Sequence, residues 1–235
     1  MKIALMQPYF LPYLGYFQLI NAADKFIFFD DVGFIKQGWI HRNNILLNGK
    51  KYRFTIPIQN ISSFTHINHT KVSGNPSLWQ QKLSRTFRHA YSKAPYFDSI
   101  FPQVDELLRG AINHTIADVA ISSIQMVFTY LGIEKPLLRS GQRYDNSHMK
   151  LSKRVVNICQ REGASGYINA IGGRYFFDTE YFEKSLIQLQ FLKPNLRIYN
   201  QKNAPAFIAG LSILDVLMYN ESSTVKAMLG DYTLL

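Results

Sequence analysis

Residues 2–31 read KIALMQPYFLPYLGYFQLINAADKFIFFDD, and this stretch decides the fold. Two short apolar runs, Lys2–Met6 and Lys25–Phe29, have the length and composition of buried strands. Between them, two prolines in Gln7–Pro12 exclude a regular helix or a central strand. Leu14–Ala23 then carries a helical stripe of apolar residues. The order strand, loop, helix, strand predicts the start of a parallel sheet with crossover helices.

The rest of the chain extends this pattern. Asn48-Gly49 is the strongest hairpin signal, and it joins predicted strands at Trp39–Leu47 and Tyr52–Ile58. The other predicted elements are a strand at His66–Val72, helices at Asn75–Ala94, Phe97–Gly110 and Thr115–Gly132, a polar loop at Ser140–His148, a helix at His148–Gly163, strands at Gly166–Asn169 and Leu186–Leu192, and helices at Ser212–Tyr219 and Ser222–Leu229. We therefore predict an α/β fold with a Rossmann-like parallel sheet and crossover helices, plus a β-hairpin insertion and a helical segment. It forms a single domain over 1–235, with the basic hairpin and helical insertion around 36–133.

The composition indicates a globular protein of a reducing compartment. Hydrophobic residues make up 47% of the 235 residues, which is enough for a sizeable core. The single cysteine, Cys159, cannot form an internal disulfide, and its apolar helical surroundings favour a buried filler over a nucleophile. No apolar run is long enough to span a membrane, and the apolar N-terminal run is too short for a signal peptide. We therefore expect a cytoplasmic protein without a membrane span.

The net charge of +10 is concentrated in one quarter of the chain. Between Val32 and Phe97 there are ten Lys and Arg residues and no Asp or Glu, whereas the rest of the chain carries equal numbers of both signs. The natural partner of such a region is an anion: a nucleotide diphosphate, coenzyme A, nucleic acid or a membrane surface. The alternative interpretation is a solvated basic face that aids solubility.

The loop Gln7–Pro12 is the first candidate for a ligand site. Ligands of open parallel sheets bind at the carboxyl ends of the strands, where this loop and Asp30-Asp31 both fall, so we expect them to face one cleft. The segment Pro12–Tyr16 predicts a helix N-terminus that an anion can approach, with Gly15 providing clearance. A similar turn binds phosphate in nucleotidylyltransferases and class I synthetases, but tyrosines replace the histidines that flank the glycine there. A proline-stiffened loop that buries its aromatic residues is the alternative.

The stretch 30–44 is the second candidate, because it mixes carboxylates, cations, amides and a tryptophan. Asp30 or Asp31, at the end of a strand, can act as a general base or hold a sugar hydroxyl or amine. Arg42 can clamp a phosphate, and Trp39 can stack on a base or sugar. An internal Asp–Arg salt bridge beside the hairpin is the alternative interpretation.

Two further segments give weaker signals. His66 and His69 would point to opposite faces of a strand, and no Cys/His/Asp cluster has zinc spacing, so we expect no metal. Gly172-Gly173 follows a predicted strand, and adjacent amides in such a loop can nest an anion, although tight turns also use this dipeptide. The sequence has no nucleophile elbow, P-loop or dinucleotide-binding glycine motif. No nucleic-acid-binding signature accompanies the basic quarter, so we expect no nucleic acid partner.

Several segments together carry a family resemblance. They are Met6–Phe17, Phe29–Val32, Lys36–Asn43, Leu47–Lys50, Trp79, Tyr91–Phe97, Tyr167–Gly173 and Leu211–Asn220. They resemble the WbqC-like proteins of bacterial O-antigen and surface-polysaccharide gene clusters. The resemblance covers nearly the whole chain, and its N-terminal motif is specific. One departure is Ala170, where the family pattern usually has proline.

The resemblance implies a role in making unusual sugars for surface glycans. The implied reaction is transfer of an acyl or aminoacyl group to the amine of a nucleotide-linked amino sugar. We therefore expect an N-acyltransferase for a dTDP-linked amino-dideoxy sugar, with acetyl-coenzyme A as the donor and no permanently bound cofactor. The basic quarter suits these acidic substrates. A homodimer is compatible with this expectation.

That chemistry assigns expected roles to individual residues. The amine must lose a proton as it attacks the thioester, and the expected base is Asp31 or His41, ahead of Asp30 and His148. The expected substrate-binding residues are Lys36, Arg42 and Arg53 for phosphates, Tyr9, Tyr16 and Trp39 for the base or sugar, Asn43 and Asn169 for hydroxyls, and Gln7, Gly172 and Gly173 in the two loops.

Two other functions stay open on the sequence. One is a nucleotidyl- or glycosyl-transferring enzyme that uses the synthetase-like first loop. The other is a non-catalytic sugar-nucleotide-binding or scaffold protein of a polysaccharide gene cluster.

Overall fold

The computed structural model describes residues 1–59, 62–73, 75–111, 114–202 and 204–235, and it has the predicted α/β architecture. The strands are β1 (Lys2–Met6), β2 (Lys25–Phe28), β3 (Arg42–Leu47), β4 (Lys50–Thr55), β5 (Leu137–Arg139), β6 (Gly166–Ala170), β7 (Gln188–Pro194) and β8 (Tyr232–Leu234). The α-helices are α1 (Leu14–Ala22), α2 (Pro76–Tyr91), α3 (Phe97–Gly110), α4 (Ile116–Leu131), α5 (Ser140–Arg143), α6 (Leu151–Arg161), α7 (Thr179–Lys184), α8 (Ile213–Tyr219) and α9 (Ser222–Leu229), and 3-10 helices cover Ile67–His69 and Ile171–Phe176.

The strand order of the main sheet fixes where a ligand can bind. In the described part of the chain the order is β5-β2-β1-β6-β7-β8, parallel throughout except for the antiparallel pair β7–β8. From β1 the chain adds β2 and β5 on one side, and then β6 and β7 on the other. The topological switch point therefore lies between β1 and β6. A crevice opens at such a point beyond the carboxyl ends of the strands.

Alternation along the strands divides the core between the two faces of the sheet. Ala4 and Ile168 belong to the larger cluster with α1, α4, α8 and α9, whereas Ile3, Leu5 and Tyr167 belong to a second cluster with α6 and α7. Successive side chains of a strand point to opposite faces, so an almost wholly apolar run such as β1 is covered on both sides. The sheet thereby holds the carboxyl ends of β1 and β6 rigidly.

The predicted hairpin is confirmed. Strands β3 and β4 pair in antiparallel register from Arg42↔Thr55 to Leu47↔Lys50, with Asn48 (φ 51°) and Gly49 (φ 74°) between them. Two consecutive left-handed residues match the twist of a hairpin, which is why Asn-Gly signals this turn. The hairpin and helices α2 to α4 lie between β2 and β5 along the chain. Their description as an insertion around 36–133 in a single domain stays a prediction.

Some predicted elements differ from the structure. The strand expected at His66–Val72 is wrong, because Ile67–His69 forms a 3-10 helix that the Thr70 hydroxyl closes by donating to the His66 carbonyl (2.9 Å). The loop expected at Ser140–His148 begins with the helical turn α5. Strands β5 and β8 were not predicted, because three residues are too few to show a period. Among the described residues, no helix is both long and apolar enough to cross a membrane.

Candidate functional site

A cavity of about 480 Å³ opens at the switch point of the sheet. We call it the apolar cavity. Five of the residues predicted from the sequence line it: Gln7 and Tyr9 after β1, Asn169 at the end of β6, and Gly172 and Gly173 in the following 3-10 helix. Phe29 and Val32, on either side of the aspartate pair, also line it. The loops after β1, β2 and β6 therefore meet at one site, and its volume is typical of small-molecule sites.

The loop after β1 is held in one conformation by bonds from three distant parts of the chain. Leu11 has a φ of 45°, which is rare for a branched residue. Its amide donates to Ser123 Oγ (3.0 Å), and its carbonyl accepts from Asn43 Nδ2 (2.7 Å) and Ser212 Oγ (2.8 Å). Strained backbone persists where the surroundings over-determine it, and such positions cluster at functional sites. Asn43 thus serves the loop, and its amide is already used.

The helix N-terminus that follows is packed against protein. The Tyr13 ring occupies the space beside Gly15, where an added Cβ would lie 2.4 Å from the ring. The Pro12 carbonyl accepts from the Ile213 amide (2.8 Å), and the first turn of α1 is buried. The expectation that Gly15 clears the way for an anion is therefore wrong, because the glycine makes room for Tyr13. Tyr16 also packs in the core, and its hydroxyl donates to the Gln7 carbonyl (2.8 Å).

Asn169 and Gly173 form one unit at the end of β6. The Asn169 amide Nδ2 donates to the Tyr167 hydroxyl (2.6 Å), and its Oδ1 lies where a Cβ on Gly173 would come within 2.7 Å. Gly173 is therefore needed for the approach of Asn169. Gly172 has open space around the position of its missing Cβ. The two neighbouring glycines therefore differ in how much space each has for a side chain.

Asp30 is buried and held by three groups. Arg139 Nε donates to its Oδ2 (2.7 Å), the Gly141 amide donates to Oδ1 (2.9 Å), and the Ser140 hydroxyl lies 3.3 Å from Oδ1. Asp30 thus has an arginine partner, but this arginine comes from β5 and not from the stretch 30–44, where the alternative interpretation expected it. Asp30 lines neither cavity described here, and its contacts hold the start of α5 against β2. A catalytic role for Asp30 stays a prediction.

Asp31 lies on the other side of the loop, in a second cavity of about 390 Å³ that we call the polar cavity. Its Oδ2 accepts from Arg154 Nη2 (2.5 Å), and its Oδ1 accepts from the Ser140 hydroxyl. Arg154 in turn donates to Asn146 and stacks over the Phe29 ring at 4.3 Å. Phe29 and Val32 line the apolar cavity, so this short loop borders two cavities of opposite character.

The polar cavity contains two histidines whose spacing in the sequence raises only the question of a metal. His66 and His69 line it, and their rings stack at 5.9 Å because residues three apart eclipse on a 3-10 helix. Among the described residues, no group of three or more His, Cys, Asp or Glu side chains is placed to hold a metal ion. The histidine pair could be found in the sequence, but its placement beside Asp31 depends on the fold.

His41 is buried against Phe34 and lines neither the apolar nor the polar cavity. Burial, and then the charge of Arg42, lower its pKa from 6.5 to about 4, so the imidazole is neutral at pH 7. Its Nδ1 atom is buried without a hydrogen-bond partner among the described residues. A catalytic role for His41 stays a prediction.

The predicted phosphate-binding cations lie outside both cavities. Lys36 and Arg53 are exposed, and Arg42 Nε donates to the Gly38 carbonyl (2.8 Å). The Arg53 guanidinium lies 5.8 Å from the Trp39 ring centroid. Trp39 lines a small pocket of about 80 Å³ with Tyr9 and Asn43. Tyr9 is shared by this pocket and the apolar cavity, which connects the cation-rich surface to the switch point.

Fold and site together define the class of protein: a doubly wound α/β protein with a cavity at the switch point of its sheet. The chain belongs to the WbqC-like protein family, whose family model matches residues 7–227. It is 28% identical over 218 residues to "Uncharacterized protein Rv1507c" of Mycobacterium tuberculosis (strain ATCC 25618 / H37Rv), with 92% of each chain covered. No solved structure matches this chain.

Proposed function

We propose that this protein is an N-acyltransferase that transfers an acyl group from a coenzyme A thioester to the amine of a dTDP-linked amino-dideoxy sugar, in the synthesis of a surface polysaccharide such as O-antigen. The observation that carries the proposal is the pair of cavities on the two sides of the loop after β2. An acyl transfer needs an apolar place for the acyl group and a polar place for the sugar. The sugar context is what the resemblance to WbqC-like proteins of polysaccharide gene clusters implies, and the chain belongs to that family.

The proposed reaction forms a C–N bond between the sugar amine and the thioester carbonyl carbon, and it breaks the C–S bond. The amine loses a proton, and the coenzyme A thiolate gains one. Asp31 is the proposed group that receives or orients this proton, because Arg154 and Ser140 fix its carboxylate at the wall of the polar cavity. His66 is the second candidate base in the same cavity.

A release assay tests this proposal. The purified protein is incubated with coenzyme A thioesters and a panel of dTDP-linked amino-dideoxy sugars, and free thiol and the amide product are followed. We expect thiol release that depends on the sugar, and we expect Asp31→Asn to lower the rate by roughly 10²-fold or more. Asp145→Asn is the matched control, because Asp145 lines the same cavity and is exposed. Thermal unfolding shows whether each variant is folded at the assay temperature.

One observation favours a second candidate, the non-catalytic sugar-nucleotide-binding protein. Among the described lining residues of the apolar cavity there is no Asp, Glu, His, Lys, Arg or Cys side chain. Absence of thiol release across all donors and sugars, together with binding of a dTDP-sugar, would replace the acyltransferase proposal by this one. The nucleotidyl- or glycosyl-transferring alternative stays a prediction; the Tyr13 ring occupies the space beside Gly15 in the loop on which its phosphate site would depend.

A further inference from the structure

The apolar cavity has an unusually apolar wall for a site near nucleotide sugars. Its apolar lining residues include Leu5, Met6, Val155, Phe29, Val32 and Phe177. The polar side chains among its described lining residues are the amides of Gln7 and Asn169 and the phenols of Tyr9 and Tyr167. Burying a charge against such a wall without a partner is costly, whereas an alkyl chain gains free energy from the same contact.

The mouth of the cavity is apolar too. Ile35, Leu151 and Phe176 line the cavity while 49%, 38% and 71% of their surfaces are exposed. Single exposed apolar residues are common on protein surfaces, but apolar residues that converge on one opening mark an interaction site. These three come from the loop after β2, from α6 and from the 3-10 helix Ile171–Phe176. Three separate elements therefore present apolar surface to one entrance.

We infer that the apolar cavity receives the alkyl chain of an acyl group longer than acetyl. This inference rests on the proposed function and changes its donor. A nucleobase is a poorer occupant, because the phosphates attached to it would have to leave through the apolar mouth. The pantetheine arm of an acyl thioester carries no charge, so it passes this mouth at no such cost and leaves the phosphates of coenzyme A outside. Gln7 and Asn169 are polar side chains available to contact the bound thioester.

Binding measurements by titration calorimetry test the inference without requiring turnover. The probes are the acetyl, butanoyl, hexanoyl and octanoyl thioesters of coenzyme A, and the four corresponding free carboxylates. We expect affinity to rise about fourfold for each added methylene until the cavity is filled. A flat affinity from acetyl to octanoyl in both series, or no binding in either, would overturn the inference.

A matched pair of glycine variants locates the binding. Gly172→Leu places a side chain in the cavity, and Gly110→Leu places the same side chain at the end of α3, outside it; the position of the missing Cβ is open at both. We expect Gly172→Leu to abolish the rise with chain length and Gly110→Leu to preserve it. A rise that survives Gly172→Leu would show that the chain binds elsewhere and refute the assignment.

The two proposals fail in different ways. Chain-length-dependent binding without thiol release would support the cavity assignment and contradict the acyltransferase. Thiol release at equal rates from acetyl and octanoyl thioesters, with equal affinities, would support the acyltransferase and contradict the cavity assignment.

Discussion

Removal of the carboxylate that pairs with Arg154 is expected to destabilise the protein strongly. The Arg154 side chain is only 3% exposed, and it reaches Asp31 Oδ2 at 2.5 Å. In Asp31→Asn the guanidinium stays buried without a counter-charge, and breaking a buried pair in this way costs about 3–5 kcal/mol. For a chain of this length the expected fall in melting temperature is roughly 6–20 °C.

A double-mutant cycle separates the pair from its surroundings. Arg154→Met keeps an adaptable apolar contact with Phe29 and leaves Asp31 at the wall of the open polar cavity, where water can solvate it. We therefore expect Arg154→Met to lower the free energy of unfolding by less than Asp31→Asn does. The double variant should be no less stable than Asp31→Asn, because the uncompensated charge is gone. The stabilities are measured by denaturant unfolding of all four proteins.

The exposed pair Lys184–Glu180 provides the control for this cycle. Its side chains are 72% and 74% exposed and lie four residues apart on α7. We expect Glu180→Gln with Lys184→Met to show a coupling of about 0.5 kcal/mol or less. If the double variant loses as much free energy of unfolding as Asp31→Asn and Arg154→Met lose together, to within about 0.5 kcal/mol, that result would refute the argument that the two charges depend on each other.

Three further predictions concern single residues. Gly173→Ala should displace Asn169 and so weaken binding of the acyl thioester, whereas Gly172→Ala should change the affinity by no more than about twofold. Titration calorimetry measures both affinities, and equal effects would contradict the difference between the two glycines. Burial raises the pKa of the Cys159 thiol to about 12, so a thiol reagent near pH 8 should label the folded protein far more slowly than the unfolded chain, and equal rates would show an accessible thiol. Burial lowers the pKa of His41 to about 4 in the folded protein, whereas the unfolded chain keeps the ordinary value of 6.5. As the pH falls from about 6.5 to about 4, the unfolded chain therefore binds a proton that the folded protein does not, and the free energy of unfolding decreases. The denaturant midpoint of unfolding should decrease over that pH range, and it should decrease less in His41→Gln. Equal pH dependence in the two proteins would show that His41 is not the cause.

The sequence by itself determined the parallel sheet, the hairpin and the convergence of three loops on one cavity. Lys2–Met6 and Lys25–Phe28 form strands because apolar runs of this length must be covered on both faces. Asn48-Gly49 forms the turn because its two residues tolerate left-handed backbone. Gln7, Tyr9 and Asn169 meet because parallel strands end at one edge of a sheet, which follows from the order of the elements.

Only the tertiary structure decided which way the polar groups point. Asp30 and Asp31 are neighbours in the sequence, but buried carboxylates must meet cations, and Arg139 and Arg154 come from elements more than a hundred residues later. Their positions turn the aspartates away from the apolar cavity that flanks them. The same holds for the basic quarter, whose charges lie on the surface while the cavity lining stays uncharged in the described residues. The sequence shows how many charged residues a segment has. Which of them line a cavity depends on how the fold orients their side chains.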